Sequence, residues 1–198
     1  MDLGAVQPLP RKGFKLSTPL PQGVTSGEWV IDPAHTEAGF SVRHMGVSRV
    51  RGTFNEVAGT ITIGETIEES SVEAEVQAAS VHTRNEGRDE HLRSADFFDV
   101  EKFPVWTFKS TAVRADGDEI EIDGDLTLHG ETRPVTLSGE FIGVTVNPSG
   151  IPALGLEAST EISRKDFGLT WNVALEAGGM MVSDKVKIEL DVQLNPKA

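Results

Sequence analysis

Hydrophobic and polar residues alternate with a period of two along most of this chain. Val72, Ala74 and Val76, for example, alternate with glutamate and glutamine. The same alternation recurs at residues 38–44, 50–54, 106–108, 120–128, 135–141, 154–162 and 186–194. Because a β-strand points successive side chains to opposite faces, this pattern predicts strands with one apolar face and one solvated face. Such strands are typical of antiparallel sheets.

The stretches between the alternating segments are rich in turn-forming residues: ADGDE, HGETRP and NPSG. Strands with a single apolar face must pack against a second sheet or close on themselves. We therefore predict an all-β fold, a single antiparallel extended β-barrel of about eight strands, which is filled by side chains or holds one small ligand. One short helix is predicted between Asn85, its N-cap, and Ser94, with Leu92 facing inward, and a second short turn near residues 96–100.

The N-terminal residues differ in composition from the rest of the chain. Residues 1–26 hold four of the ten prolines and show no alternation, which predicts a flexible or extended tail before a single domain at residues 27–198. The tail does not resemble a signal peptide, because Pro8, Pro10 and Arg11 interrupt the position of the apolar segment. No apolar run is long enough for a transmembrane helix. We therefore expect a cytoplasmic protein.

Charge and motifs exclude several classes of function. The formal net charge of −13 argues against nucleic acid, and against an anionic membrane surface as the main partner. The absence of cysteine excludes disulfides, thiolate metal sites and cysteine nucleophiles. The chain also lacks the G-x-S-x-G, Walker and H-E-x-x-H motifs. We accordingly predict no catalytic residue, metal ion or cofactor.

His44 is the polar residue that ends the apolar face of Phe40 and Val42. The pattern alone leaves four roles open: catalytic base, metal ligand, polar end of a binding cavity, or hydrogen-bonded histidine at a strand end. The last role is the simplest. His82 and His91 match no metal-binding spacing and are interpreted as part of a solvated acidic segment.

Five separated blocks of the sequence resemble one known family. They are WVIDPAHTEAGFSVRHMGVSRVRGTF, HLRSADFFDVEKFPVWTFKS, GDLTLHGETRPVTL, SRKDFGLTW and VSDKVKIEL, in this order between Trp29 and Leu190. They resemble the YceI-like family, polyisoprenoid-binding proteins of bacteria. The resemblance implies a lipocalin-like barrel that binds a long isoprenoid chain, with or without a quinone-type head group, for storage or transport. The tail and Thr36 depart from the family pattern.

Two alternatives stay open beside this reading. One is an enzyme acting on an isoprenoid-type substrate, and the other is a stress-related protein with a filled barrel. Alternation alone favours a filled interior, whereas the resemblance implies an open one. A homodimer formed through the barrel edges is a further expectation that alternation does not test.

An open barrel would place its ligand against inward-facing side chains and the connections beside them. The candidate ligand-binding residues are Phe40, Val42, His44, Phe54, Val76, Phe97, Phe98, Phe108, Leu126, Leu128, Leu156, Leu169, Trp171 and Met180. Small inward residues are expected to leave volume for a ligand: Ala38, Gly52, Ala74, Ala78, Gly124, Gly139 and Ala158. Phe97 and Phe98 belong to a connection that either seals one end of the barrel or forms a lid. Arg164 and Asp166 are expected to form a local, exposed ion pair.

Overall fold

The structure, a computed structural model, describes residues 18–176 and 178–197. The described residues form eleven strands: β1 (Gly27–Ile31), β2 (Glu37–His44), β3 (Ser48–Phe54), β4 (Val57–Ile63), β5 (Ser71–Gln77), β6 (Val81–His82), β7 (Val105–Asp116), β8 (Glu119–Leu128), β9 (Glu131–Val146), β10 (Pro152–Ser163) and β11 (Val182–Pro196). One α-helix, α1 (Glu86–Arg93), and three short 3₁₀ helices (Ile67–Glu69, Ala78–Ser80 and Arg164–Phe167) lie between them.

The strands close into a barrel with eight strand positions. Neighbouring strands follow the order β1, β4, β5, β7, β8, β9, β10 and β11, and β11 pairs again with β1. β2, β3 and β6 continue β1, β4 and β5 toward one end, since β2 pairs with β11 and β3, and β3 pairs with β6. All of these pairings are antiparallel. The predicted antiparallel barrel of about eight strands is therefore confirmed, with three positions interrupted by a bend or short helix.

The two ends of the barrel are built differently. The upper end carries the β2–β3 turn, α1 and the β8–β9 turn, and the lower end carries the β9–β10 turn. The predicted helix is confirmed, because the Asn85 side chain accepts a hydrogen bond from the Arg88 backbone N–H (2.9 Å) and caps it. Leu92 packs inward against the core, as predicted.

The alternation in the sequence corresponds to the burial of side chains on the strands. On β5 the glutamates are exposed, whereas Val72, Ala74 and Val76 are half-buried on the inner face. A cluster at the lower end contains the fully buried Trp29 and Leu194. A second cluster at the upper end packs aromatic residues from the connection after α1 against the strands. A third buried cluster lies on β7, β8 and β9 and packs against Phe108 and Ala158 beside the cavity described below.

Residues 18–26, which we call the strap, pack across the lower end of the barrel. The Thr18 backbone N–H donates to Glu68 Oε2 (2.9 Å), and Trp29 Nε1 donates to the Thr25 carbonyl (3.1 Å). Burial alone would raise the pKa of Glu68, but the hydrogen bonds from Thr18 outweigh it and lower that pKa. Leu20 packs against the lower cluster. Of the predicted tail, residues 1–17 lie outside the described residues.

Candidate functional site

A cavity of about 380 Å³ occupies the interior of the barrel. Its wall is formed by inward-facing side chains of the strands, among them Ala74 and Val76 of β5 and Leu156 and Ala158 of β10. The barrel is therefore open inside, and the filled interior that alternation alone favoured is wrong. The cavity volume lies within the roughly 300–1,000 Å³ typical of small-molecule sites.

Thirteen of the fourteen candidate ligand-binding residues lie on the cavity wall. They are Phe40, Val42, His44, Phe54, Val76, Phe97, Phe98, Phe108, Leu126, Leu128, Leu156, Leu169 and Trp171. Met180 does not line the cavity: it bridges Ala174 at the outer part of a turn and is 51% exposed. Its neighbour Met181 lines the cavity instead. The role of the thirteen residues in ligand binding stays a prediction.

The inward glycines do not leave the volume that the sequence predicted. The Phe40 ring lies over Gly52, and the Phe108 ring lies over Gly124, so close that a Cβ at either glycine would collide with the ring. An aromatic ring covering a cross-strand glycine is a known way to stabilise sheets. The expectation is wrong for these two glycines, because their space is already filled by protein. Ala74 and Ala158, by contrast, do line the cavity.

The ionisable residues that line the cavity are all arginines or histidines. Arg43, His44, Arg88 and His91 lie at the upper end, which we call the mouth, and Arg164 lies beside it. Among the described residues, no aspartate or glutamate lines the cavity, although the chain has 31 acidic residues. Arg88 and His91 were not among the predicted wall residues. Their spacing with Leu92 places all three on one face of α1, which was the available signal.

A hydrogen-bond network holds Arg88 at the mouth. Its Nε donates to Thr83 Oγ1 and its Nη2 to the Thr83 carbonyl, both at 2.7 Å. Thr83 in turn donates from its backbone N–H (2.8 Å) and its hydroxyl (2.5 Å) to the buried carboxylate of Asp89. The network orients the guanidinium while joining α1 to β6, because Thr83 directly follows β6.

The two histidines of the mouth have different surroundings. The His91 ring stands edge-on to Phe97 and Trp171, with ring centroids 5.0 and 4.9 Å apart, and its Nε2 lies 2.9 Å from Asp96 Oδ2. The His91 side chain is nonetheless 41% exposed and Asp96 is 54% exposed, so His91 is partly solvated, as predicted, and also packs against aromatic rings. His44 is half-buried, and its side chain has no hydrogen bond or ion pair with any residue in the ranges 18–176 and 178–197. Its ring is available to a ligand.

Arg164 organises the loop beside the mouth. Its guanidinium is buried and donates to the carbonyls of Leu169 (2.6 Å), Trp171 (2.9 Å) and Ser183 (3.0 Å). Burial lowers the pKa of Arg164, and Asp184, 3.6 Å from Nη2, opposes this effect. The expected exposed pair with Asp166 is wrong, because Arg164 turns inward to bind backbone carbonyls. Leu169 and Trp171 are thereby positioned on the cavity wall.

Trp106 presents an unsatisfied hydrogen-bond donor. Its ring lines the cavity and packs edge-on against Phe54 and Phe98, with centroids 5.0 and 4.7 Å apart. Its Nε1 is buried and has no acceptor among the described residues. A buried unpaired donor costs about 1–3 kcal/mol. An oxygen atom of a bound ligand would remove this cost.

Within the described part of the chain, no cluster of three or more His, Asp or Glu side chains is arranged to hold a metal ion. None of its helices is both long enough and apolar enough to cross a membrane.

Comparison with known proteins identifies the family. The YceI-like domain family matches residues 29–194. The chain belongs to this family. Protein YceI of Escherichia coli O157:H7 is 43% identical over 136 residues, which cover 68% of this chain and 71% of that protein. The crystal structure of the YceI protein of Campylobacter jejuni superposes with a TM-score of 0.67 at 29% identity, covering 84% of this chain and 96% of that one.

A polyisoprenoid-binding domain from Saccharophagus degradans, implicated in plant cell wall breakdown, has the same fold. It superposes with a TM-score of 0.62, covering 85% of this chain and 98% of that one. At 15% identity this likeness shows the YceI-like fold alone.

Proposed function

We propose that this YceI-like protein binds a long-chain isoprenoid or related lipid, with or without a quinone-type head group, inside its barrel for storage or transport. The observation that carries the proposal is the cavity of about 380 Å³ with an almost entirely apolar wall. Burial of each methylene of a bound chain contributes roughly 0.8 kcal/mol, so an apolar chain gains affinity without polar partners. The shared fold with a polyisoprenoid-binding domain supports the same ligand class.

The polar groups favour one orientation of the lipid. The head group would lie at the mouth, where the His44 side chain has no partner among the described residues. The chain would extend past Phe108 toward Leu156, which are apolar wall residues. The unsatisfied Nε1 of Trp106 would donate to an oxygen of the lipid.

An enzyme acting on an isoprenoid is a second candidate, and one observation favours it. His91 lines the cavity while its Nε2 is held by Asp96, an arrangement that suits a general base. Incubation with isoprenoid alcohols and isoprenoid quinones, followed by product analysis, distinguishes the two functions. A product that disappears in the His91→Ala variant would establish an enzyme, and unchanged substrate would favour binding alone.

Native mass spectrometry of the purified protein, followed by organic extraction, tests the proposed function directly. We expect one isoprenoid or isoprenoid quinone per chain. Protein that is reproducibly free of lipid and also fails to take up added isoprenoids would refute the proposal. Stoichiometric binding of fatty acids with no uptake of isoprenoids would refute the ligand class while retaining the cavity.

A further inference from the structure

The turn between β2 and β3 exposes apolar side chains at the upper end of the barrel. Met45 is 45% exposed and Val47 is 80% exposed. Met45 has a φ of 53°, in the left-handed region, where tight hairpins normally place glycine, asparagine or aspartate. Contact with water does not favour an apolar side chain, and this backbone conformation does not favour a long one, so neither explains a methionine at position 45. A contact with something other than water would explain it.

A second turn presents two more exposed apolar side chains beside the first. Val173 is 41% exposed and Met180 is 51% exposed. The two turns are joined by backbone hydrogen bonds, from Met45 N–H to the Met181 carbonyl (2.7 Å) and from Met181 N–H to the Val173 carbonyl (2.9 Å). We call Met45, Val47, Val173 and Met180 the apolar rim. It adjoins the mouth, because Met181 lines the cavity.

The same hairpin concentrates positive charge in an otherwise acidic chain. Arg43 and Arg49 are direct cross-strand partners, and with the exposed Arg51 they form what we call the basic flank. Like charges directly opposite each other destabilise a strand pair. None of the three forms an ion pair with a carboxylate of the described residues; the nearby Glu189 instead pairs with Lys187 at 2.6 Å. Arg49 Nη1 donates to Ser41 Oγ (3.4 Å), and Arg49 and Arg51 lie close enough to Glu189 to lower the pKa of its carboxyl group. Because no carboxylate of the described residues forms an ion pair with them, their remaining N–H groups can bind an external anion.

We propose that the apolar rim and the basic flank dock the mouth of the barrel onto an anionic lipid bilayer. Apolar side chains of this kind insert at the level of the head groups, and each arginine near the surface strengthens binding roughly fivefold. The bilayer is favoured over a protein partner because the rim adjoins the opening of an apolar cavity. A lipid could then move between bilayer and cavity without crossing water.

The net charge of −13 does not prevent this contact. Charges farther from the surface than the Debye length, about 8 Å at physiological ionic strength, are largely screened. The basic flank lies next to the turn between β2 and β3, whereas the exposed Glu86 and Glu90 of the upper end lie on a different element, α1. Glu176, exposed on the second turn, is an opposing charge close to the rim. The net charge of the whole chain argued against an anionic membrane because it does not show the local positive charge of this hairpin.

Vesicle sedimentation tests the docking of the intact protein. We expect binding to phosphatidylcholine vesicles that contain phosphatidylglycerol, weakened by added salt, and little binding to pure phosphatidylcholine. The double variant Met45→Ser/Val47→Ser should bind at least about tenfold more weakly. The affinity of the double variant Arg49→Gln/Arg51→Gln for anionic vesicles should fall roughly 25-fold, because each of the two arginines contributes about fivefold. If the wild-type protein does not bind anionic vesicles, the proposal is overturned.

Matched variants at other parts of the surface provide the controls. Ile142 and Val146 are 58% and 62% exposed on β9 toward the lower end, so Ile142→Ser/Val146→Ser removes similar apolar surface away from the mouth. Lys109→Gln/Lys197→Gln removes two exposed positive charges outside the hairpin. Both control variants should bind vesicles as the wild type does. If the two control variants lose as much vesicle binding as the hairpin variants, no specific docking surface exists.

A gain of signal provides an independent readout that does not depend on weakened binding. Val47→Trp should shift its fluorescence to the blue on anionic vesicles and be quenched by brominated lipids, whereas Ile142→Trp should not. Equal behaviour of the two would overturn the proposal. Uptake of an isoprenoid alcohol added from solvent tests the proposed function separately. Docking with no uptake would refute lipid binding in the cavity and leave the docking surface intact.

Discussion

Ala74 and Glu75 are neighbours on β5 with opposite surroundings, and they allow a sharp test of the open barrel. Ala74 lines the cavity, and Glu75 is exposed on the outer face. We predict that Ala74→Trp blocks the passage of a lipid chain part-way along the barrel. Glu75→Trp adds the same side chain on the same strand but outside the cavity, and should leave binding unchanged.

The expected loss follows from the volume that the indole takes. A tryptophan at position 74 adds about nine heavy atoms, and it would displace roughly one isoprene unit, about five carbon atoms, of a bound chain. At roughly 0.8 kcal/mol per carbon, the lost burial is about 4 kcal/mol. Since about 1.4 kcal/mol corresponds to a tenfold change, the Kd should rise roughly 10³-fold. Overpacking of the interior would also lower stability by about 1–3 kcal/mol.

Titration with an isoprenoid alcohol measures the effect, with circular dichroism and thermal unfolding to show that both variants are folded. A graded series at position 74, from valine through leucine to tryptophan, should raise the Kd in steps. If folded Ala74→Trp binds the lipid as tightly as Glu75→Trp does, the chain does not pass this position and the reasoning is refuted.

Three further predictions concern the mouth and its supports. His44→Ala should reduce discrimination between isoprenoid quinones and isoprenoid alcohols while largely retaining chain affinity, and identical selectivity in titrations would contradict a head-group role. Arg164→Met should lower the free energy of unfolding by about 3 kcal/mol in urea, because three backbone carbonyls lose a charged donor; a loss below about 0.5 kcal/mol would contradict this. The hydrogen bond from His35 lowers the pKa of Asp32 below its ordinary value of 3.8. Asp32→Asn should therefore have a lower free energy of unfolding than the wild type at neutral pH, and this difference should shrink as the pH falls below 3.8 through the folded-state pKa. A difference in unfolding free energy that stays constant down to the acid transition would refute this prediction.

The hydrophobic alternation predicted many of the residues that line the cavity but not the cavity itself. Alternation on β5 identified which side chains face inward, because the pleat of a strand leaves only two directions. It did not show whether the interior is filled, since that depends on where rings from neighbouring strands lie. The Phe108 ring covers Gly124, for example, while the space beside Ala74 stays open. Alternation also did not show which way Met180 points, because it lies in an irregular turn where the period of two is broken.

Local signals in the sequence determined the strands and the capped helix, because each depends on residues within a few positions of one another. Only the tertiary structure decided that Arg43, Arg88 and His91 would meet at one opening. It also decided that Arg164 would be buried against backbone carbonyls. These contacts join residues far apart in the chain, and their energies depend on the register and curvature of the closed barrel, which no local pattern specifies.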